Sequence, residues 1–349
     1  FFFITFALMQ FKVGLMLDRR GSRYTAGLIF PIFAGGGALL FALAQNSFMV
    51  IAAMGLIGIG CSPVLMASYY LFARHGAPEK FALFTTWFVA FGTLGNVAGT
   101  SPLAYAVETF GWRETIAFLG LVAAVLGLAI WRFVRSQAIV EAGIGGGYSG
   151  YFTLLKMRWF WPLIPLMLIA YMPPAGIRGL WAGPYLNETF GATAIQIGNV
   201  TFFMALGMAL GSFIYGPLEK LTGSARNLIL GGNLVQLAIL IWLAVNPPAT
   251  VFATGSLFAA IGFFGMTYGL QMAHGRSFLP PDLLGRGVTL MNFFNIAGVG
   301  IMQIAGGPIL ETAKSVSPVG TFQGLFLVYA IAVGISCVAF LFAKGKPAR

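Results

Sequence analysis

Long apolar runs constrain this chain more than any other feature. About eleven runs of roughly 20 residues follow one another, separated by short polar segments. A helix of that length crosses the roughly 30 Å hydrocarbon core of a bilayer and satisfies its own backbone hydrogen bonds. The runs lie near residues 1–17, 24–44, 48–73, 82–105, 115–134, 159–185, 196–217, 227–245, 250–272, 287–310 and 322–343. The chain is therefore predicted to be an all-α membrane protein.

Composition excludes two other classes. Hydrophobic residues make up 58% of the chain and charged residues 8%, and the mean hydropathy is +0.88. A soluble domain with these values would expose a very large apolar surface. The formal net charge of +11 suggests a nucleic-acid partner, but the basic residues are dispersed through the loops instead of clustering on one face. We expect a lipid bilayer as partner and no nucleic acid.

The basic residues predict how the chain is oriented. Loops on one side of the membrane are rich in Lys and Arg, which is typical of the cytoplasmic side. Those residues are Arg19, Arg20, Arg23, Arg74, Lys80, Arg135, Lys156, Arg158, Lys220, Arg226, Arg276, Arg286, Lys344, Lys346 and Arg349. The opposite loops carry little beyond Arg113 and Lys314. We expect a multi-pass inner-membrane protein whose first hairpin, central linker and C-terminus face the cytoplasm.

The polar segment between the first two runs is a charged hairpin bounded by glycines. It runs from Gly14 to Arg23 and contains Asp18, Arg19 and Gly21. A second segment, residues 216–224, repeats the separation of the two glycines and also follows an apolar run. Pro78-Glu79 and Pro281-Asp282 form a further pair at a similar offset of about 200 residues. An internal repeat is therefore predicted.

The repeat predicts two similar helical halves. The first half covers residues 1–134 and has five runs, whereas the second covers residues 159–349 and has six. A glycine-rich linker, residues 135–158, joins them. Since the chain opens inside an apolar run, the element that the first half lacks is expected to be its first helix.

The hairpin resembles the signature loop between the second and third helices of the major facilitator superfamily. Gly111-Trp112-Arg113, ahead of another apolar run, is similar to an element that precedes the sixth helix in many members. The resemblance implies two pseudo-symmetric bundles, with about 11 of 12 helices present and a substrate site near mid-membrane between them. It also implies gating roles for the hairpin residues Gly14, Asp18, Arg19, Gly21 and Arg23 and for Arg74. In that role Asp18 latches the cytoplasmic side through Arg74 or through the start of the run after Arg286; the alternative is that it only orients the hairpin.

Arg178 is the most suggestive residue for substrate binding. It lies inside an apolar run interrupted by Pro and Gly, and helical spacing places Tyr171, Arg178 and Tyr185 on one stripe with Trp181 beside it. An unpaired cation in hydrocarbon costs at least about 2.5 kcal/mol, so the guanidinium should face protein, water or an anion. Two interpretations stay open. Arg178 grips an anionic group of the substrate, or it reaches the membrane interface and pairs with Glu188.

Other polar side chains within the runs complete the predicted substrate site. Asn292 and Asn295 share a helical face, while Tyr69, Tyr268 and Gln271 occur in runs that border the cavity in the family resembled. Helix packing is the alternative role for the amides, and aromatic packing is the alternative for the tyrosines.

The sequence lacks several motifs that are typical of enzymes and metal-binding proteins. The sequence has no Walker-type phosphate loop, no metal-binding motif and no convergent catalytic set, so we expect no enzyme, no cofactor and no metal. All nine acidic residues fall at predicted loops or run ends, which leaves no mid-membrane carboxylate to carry a proton. We predict a secondary transporter that works as a monomer by alternating access, moves a small organic solute, with an anion favoured, and couples to a proton or counter-solute or to neither. The alternatives are a drug or metabolite efflux antiporter and a non-transporting membrane sensor.

Overall fold

The architecture comes from a computed structural model, which describes residues 1–75, 92, 95, 97–134, 148–279, 283–316 and 320–343. Within these ranges every regular element is helical. The chain divides into two compact units. The first comprises Phe1–Gly92, Tyr105–Leu154 and Pro281–Phe293, and the second comprises Thr93–Ala104, Leu155–Pro280 and Phe294–Arg349.

The regular elements of the described residues are α-helices and two π-helical segments. Those up to the predicted linker are α1 (Phe2–Ile29), a π-helical segment (Phe30–Gly35), α2 (Gly36–Ala42), α3 (Ser47–His75), α4 (Ser101–Phe110), α5 (Trp112–Phe133) and α6 (Ser149–Leu155). The later ones are α7 (Ile164–Ile169), α8 (Met172–Gly176), a second π-helical segment (Ile177–Trp181), α9 (Ala182–Phe190), α10 (Ala194–Thr222), α11 (Ala225–Val245), α12 (Val251–Gly265), α13 (Tyr268–Arg276), α14 (Leu284–Val316) and α15 (Thr321–Leu341).

The first hairpin is tighter than predicted. Residues 14–23 were expected to form a loop, but helical hydrogen bonding continues through them and only Gly21 leaves helical geometry, with φ 72° and ψ 177°. This conformation is nearly restricted to glycine. Ser22 then donates a hydrogen bond to the carbonyl of Ala67 at 2.9 Å. The predicted loop is therefore wrong in extent, because one glycine is enough to make the turn.

Contacts with α3 show that the chain reverses at Gly21. Before the turn, Thr5 donates to the carbonyl of Gly55 at 2.9 Å. Gln10 donates to the carbonyl of Ser62 at 3.2 Å, so this part of α1 runs in the same direction as α3. After the turn the order inverts, since residue 34 packs on residue 60 and residue 37 packs on residue 57. The part of α1 before Gly21 is therefore antiparallel to the chain that follows Gly21 through the π-helical segment into α2.

A matching reversal occurs in the second unit. Helix α10 ends at Thr222, Gly223 takes the left-handed conformation with φ 67°, and Ser224 begins α11 by accepting a hydrogen bond from the backbone N–H of Asn227. Residues 216–222, which were expected to belong to a loop, are helical. As in the first hairpin, the turn lies at the second glycine.

The predicted repeat also shows in how helices cross within each unit. Gly58 of α3 lies against the carbonyl of Phe2, and Gly262 of α12 lies against the carbonyl of Met204. At the neighbouring crossing point, Thr5 approaches Gly55, just as residue 207 approaches residue 259. These pairs are related by offsets close to the one that the hairpins predict. Each half therefore builds the same helix pair.

Eight helices of the described residues are long and apolar enough to cross a membrane. The first predicted run appears as the shorter apolar helix Phe2–Leu17. Most of the fourth run, residues 82–105, lies outside the described residues. The sixth run, residues 159–185, is broken into short segments. The structure thus shows a multi-span helical protein without giving the predicted count of eleven.

Part of the predicted linker is helical. Residues 135–147 lie outside the described residues, but α6 (Ser149–Leu155) follows them, with Gly150, Tyr151 and Leu154 buried. The predicted linker boundaries at residues 134 and 158 stay a prediction.

The Gly-Trp-Arg element starts α5. Gly111 has φ 90°, and Arg113 donates a hydrogen bond to the carbonyl of Ala44 at 3.0 Å.

Candidate functional site

The segment that carries Arg178 is an interrupted helix. A span over residues 159–185, interrupted by proline and glycine, was predicted, and the structure has helix from Ile164 that changes type several times before Phe190. Two prolines, Pro173 and Pro174, lack the N–H that a regular helix needs, and a π-helical segment follows them. Such π segments occur frequently at functional sites. The break places irregular backbone next to Arg178.

Arg178 belongs to a small group of polar and aromatic side chains in the second unit. It lies in the π-helical segment and is half-buried. Tyr171 is also half-buried and interacts electrostatically with Arg178. The ring of Tyr268, at the start of α13, lies 6.3 Å from the ring of Tyr171. Three of the predicted substrate-binding residues are thus brought together.

Trp181 lies on a more enclosed face. Its side chain is 7% exposed and packs against Gly306 of α14. A larger residue at position 306 would collide with the indole ring. Trp181 therefore packs this segment against α14, and its predicted contact with a substrate stays a prediction.

Tyr185 does not share a stripe with Arg178. Its side chain is 3% exposed and packs among Phe190, Phe258, Phe322 and Phe326. In a π-helical segment the hydrogen bonds reach one residue further than in an α-helix, so a seven-residue spacing no longer returns to the same face. The predicted stripe is wrong for this reason.

Gln271 is part of a buried amide cluster that the sequence analysis did not single out. Its Nε2 donates to the hydroxyl of Thr267 at 2.9 Å, and Nδ2 of Asn233 donates to the same hydroxyl at 3.0 Å. Gln236, one turn after Asn233, donates to the carbonyl of Ala170 at 3.5 Å. Asn233 and Gln236 are 0% exposed and Gln271 is 2% exposed. We call Asn233, Gln236 and Gln271 the amide cluster. Two amides within the long apolar run of α11 were the signal for it.

Asn292 and Asn295 lie in α14 and are buried, at 2% and 0% exposure. They are one helical turn apart, as predicted. Tyr69 lies in α3, but its side chain is outside the described residues. For these three, the predicted role in substrate binding stays a prediction.

Among the predicted gating residues, Gly14 has the most informative surroundings. A Cβ at this position would lie 2.8 Å from the hydroxyl of Tyr151 and 3.5 Å from that of Thr289. These two hydroxyls are 3.1 Å apart and hydrogen-bonded. Phe11 packs beside them, with its ring 5.1 Å from that of Tyr151. Gly14 thus lets α1, α6 and the start of α14 meet within the first unit.

Arg23 anchors the first hairpin. Its Nε donates to the carbonyl of Trp131 at 2.7 Å, and the guanidinium lies 5.5 Å from the centre of the Trp131 ring. The side chains of the other charged candidates, Asp18, Arg19 and Arg74, lie outside the described residues. The latch predicted between Asp18 and Arg74 accordingly stays a prediction.

Comparison with known proteins gives the family. The model of the Major Facilitator Superfamily matches residues 1–177, which is half of the chain. This chain belongs to the major facilitator superfamily. The resemblance inferred from the first hairpin is confirmed, and with it the predicted fold class of a helical membrane protein.

Superfamily members of different roles are similar to it. The membrane sensor protein UhpC of Escherichia coli is 26% identical over 97% of this chain and 81% of its own length. UhpC of Salmonella typhimurium is equally similar. An uncharacterized MFS-type transporter of Bacillus subtilis, YfkF, is 27% identical over 55% of this chain and 48% of its own length.

A solved structure shows the same fold. The Escherichia coli fucose:proton symporter FucP superposes with a TM-score of 0.65 and covers 98% of this chain and 89% of its own. Its sequence identity is 16%, so the likeness concerns the fold alone. In this superfamily chain the helices therefore follow the arrangement of a known transporter.

Proposed function

We propose that this chain is a secondary transporter that moves a small organic anion across the membrane by alternating access, with Arg178 binding the anionic group. The observation that carries the proposal is the group formed by Arg178, Tyr171 and Tyr268 at an interrupted helix. Broken helices at membrane depth line substrate sites in many transporters, because their backbone must lie in protein or water.

The chemistry of Arg178 favours an anion. A guanidinium stays charged at every physiological pH, so it attracts an anionic group. Its planar array of donors matches a carboxylate or phosphate in two parallel hydrogen bonds. A phenol and an aromatic face beside it suit the carbon skeleton of an organic solute. An organic anion uses all three groups at once.

The same residues leave no support for an enzyme, and we propose that the protein carries out no covalent chemistry. A solute, with or without a coupling ion, is then its functional partner. We also propose that the chain acts as a monomer and that the first hairpin, the linker and the C-terminus face the cytoplasm, since most of the basic residues lie in those loops.

A membrane sensor is the second candidate function. It is favoured by one observation, the 26% identity to UhpC over nearly the whole chain. A sensor would bind the same solute without moving it. Binding and flux therefore have to be measured separately. The efflux antiporter proposed as a further alternative would move its solute outwards.

Binding is tested with purified protein and a panel of small carboxylates and organic phosphates. We expect at least one to raise the melting temperature, and Arg178→Ala to weaken its binding about 100-fold or more, as the loss of a desolvated charged partner costs about 3 kcal/mol. Arg178→Lys should recover part of the affinity. The matched control is Arg158→Ala, at an exposed arginine near the start of the second unit. Unchanged binding by Arg178→Ala would remove the residue from the site.

Gating by the first hairpin is a separate proposal. If Asp18 latches the cytoplasmic side, Asp18→Asn should raise the inward-open population. Cysteines introduced on the cytoplasmic side should then react faster with a membrane-impermeant maleimide. Unchanged reactivity would leave Asp18 with the role of orienting the hairpin.

A further inference from the structure

We propose that the amide cluster, Asn233, Gln236 and Gln271, is a buried binding site for a monovalent cation, with Na⁺ as the ligand. The observation behind it is that all three side-chain oxygens lie in the interior and accept no hydrogen bond from the described residues. A buried acceptor without a donor costs roughly 1–3 kcal/mol, and three in one cluster call for a common ligand.

The orientation of two amides is fixed by backbone carbonyls. Nδ2 of Asn233 donates to the carbonyl of Ile229 at 2.8 Å, and Nε2 of Gln236 donates to the carbonyl of Ala170. Rotating either amide by 180° would place its side-chain oxygen against the backbone carbonyl oxygen, and the two would repel each other. The oxygens of these two side chains must therefore point away from the carbonyls, and what they lack is a positive partner.

A shared hydrogen-bond acceptor joins two of the three amides. Asn233 and Gln271 share the hydroxyl of Thr267 as acceptor, which brings α11 and α13 to one point. Gln236 lies one turn from Asn233, and its Oε1 would be 3.0 Å from a Cβ on Gly265, two residues before Thr267. The amides of α11 and α13 and the end of α12 therefore lie next to one another through more than one contact.

The helix end beside the cluster favours positive charge. Helix α12 stops at Gly265, and Met266 and Thr267 have non-helical torsion angles before α13 begins. The carbonyl of Phe264, in the last turn of α12, lies 2.8 Å from a Cβ position on Gly232, next to Asn233, and accepts a hydrogen bond from the hydroxyl of Tyr215 at 3.0 Å. The carbonyl end of a helix carries about half a negative charge. Unwound segments and helix C-termini coordinate Na⁺ in other transporter folds.

Size and charge select the kind of ligand. The void beside Gln271 is lined otherwise by Leu163, Leu166, Met167 and Phe340 and does not admit a water-sized sphere, so this amide lies in close packing. A divalent ion prefers carboxylate ligands, whereas α11, α12 and α13 contain no acidic residue. Neutral oxygens in a small space suit a monovalent cation.

Such a site would supply a coupling ion in a chain whose acidic residues avoid the middle of the apolar runs. Binding of Na⁺ can be measured without knowing the transported solute. Its failure would therefore leave the proposal for Arg178 unaffected, and the converse also holds.

The test is the melting temperature of the purified protein in 150 mM NaCl, KCl or choline chloride. A ligand that binds only the folded state raises this temperature, and we expect a value in NaCl about 2 °C or more above that in choline chloride. Gln236→Leu should abolish most of the difference. Equal values in NaCl and choline chloride would contradict the site, and equal values in NaCl and KCl would contradict its assignment to Na⁺.

Gln10→Leu is the matched control. Gln10 is also 0% exposed, donates to one backbone carbonyl, and has an Oε1 without a donor among the described residues, but it lies in the first unit. This variant should keep the full Na⁺ effect. If Gln236→Leu does not fold, Gln236→Glu is the second variant, because it retains the side-chain oxygen and adds a negative charge. In a ²²Na⁺ binding assay it should lower the half-maximal Na⁺ concentration on the order of tenfold. An unchanged concentration would contradict the site.

Discussion

The two glycine hairpins have the same turn but different neighbours. Both reverse the chain at a glycine with positive φ, 72° at Gly21 and 67° at Gly223. Both are anchored by an arginine shortly after the turn. Arg23 donates to a carbonyl near the end of α5, and Arg226 donates to the carbonyl of Leu341, at the end of α15, at 2.6 Å. The turn and its anchor are therefore properties of the repeat.

The glycines that open the hairpins differ. Gly14 is enclosed by the hydroxyls of Tyr151 and Thr289, whereas a Cβ on Gly216 would have no neighbour within 4 Å. The second hairpin instead lines an open cavity of about 550 Å³ that includes Gly223 and His274. One scaffold thus presents a packed hairpin in the first unit and an open one in the second. The repeated hairpin sequence therefore determines the turn. Residues elsewhere in the chain determine which groups the hairpin contacts.

The largest effect is expected at the repeated helix crossings. Gly58→Ala and Gly262→Ala each place a methyl group against a backbone carbonyl of the neighbouring helix, which cannot move without shifting that helix. We expect each to cost about 3 kcal/mol and to lower the melting temperature by several degrees. Gly36→Ala and Gly231→Ala, at helical positions with open space, are the controls and should not destabilise. If only one of the two variants loses stability, the two helix crossings are not equivalent.

The turn glycines should differ in the residues they tolerate. Gly21 has ψ 177°, a conformation nearly restricted to glycine, whereas Gly223 has ψ 2°, which asparagine also adopts. We expect Gly21→Asn to cost about 2–3 kcal/mol and Gly223→Asn less than about 1 kcal/mol. Thermal unfolding of the two variants measures the difference. Equal losses would show that the two turns are more alike than their torsion angles indicate.

A smaller effect is expected at the first glycine of each hairpin. Gly14→Ala should cost about 1–2 kcal/mol because the new methyl group displaces the Tyr151 hydroxyl from Thr289. Gly216→Ala should be neutral or stabilise by about 0.5 kcal/mol, because alanine is the better helix former. Tyr151→Phe should relieve part of the loss in Gly14→Ala. If the double variant shows no such relief, the Tyr151 hydroxyl is not the cause.

The arginine anchors should show the smallest effect. Arg23→Ala and Arg226→Ala each remove one charged hydrogen bond to a carbonyl near the protein surface, and we expect a loss of about 1 kcal/mol for each. Lys156→Ala, at an exposed position, serves as control. A loss in one variant and none in the other would show that only one hairpin depends on its anchor.

Much of the fold follows from the sequence because membrane helices are long and apolar and because the repeat is visible as paired glycines. The reversals at Gly21 and Gly223 were expected within the correct segments. Their tightness was not, since a pattern of glycines and charges does not distinguish a loop from a helix that turns at one residue. The extent of the break between residues 164 and 190 was not predicted, because the hydropathy of this run is that of an ordinary span.

The candidate site was predicted in part. Proline and glycine around Arg178 marked the irregular segment, and Tyr171 and Tyr268 do lie together. The π-helical register overturned the stripe through Tyr185, and register changes leave no clear trace in spacing alone. The amide cluster depends on contacts between α11 and α13 that are distant in sequence. Only the presence of amides in an apolar run pointed to it.

A measurement of solute flux tests directly whether the protein transports an organic anion that Arg178 binds. Protein reconstituted in liposomes is given a radiolabelled anion from the group that binds, and uptake is followed with and without a preloaded counter-solute. We expect saturable uptake that Arg178→Ala abolishes and Arg158→Ala preserves. Saturable binding without any flux would contradict transport and favour a sensor, and equal flux by Arg178→Ala would contradict the assigned site.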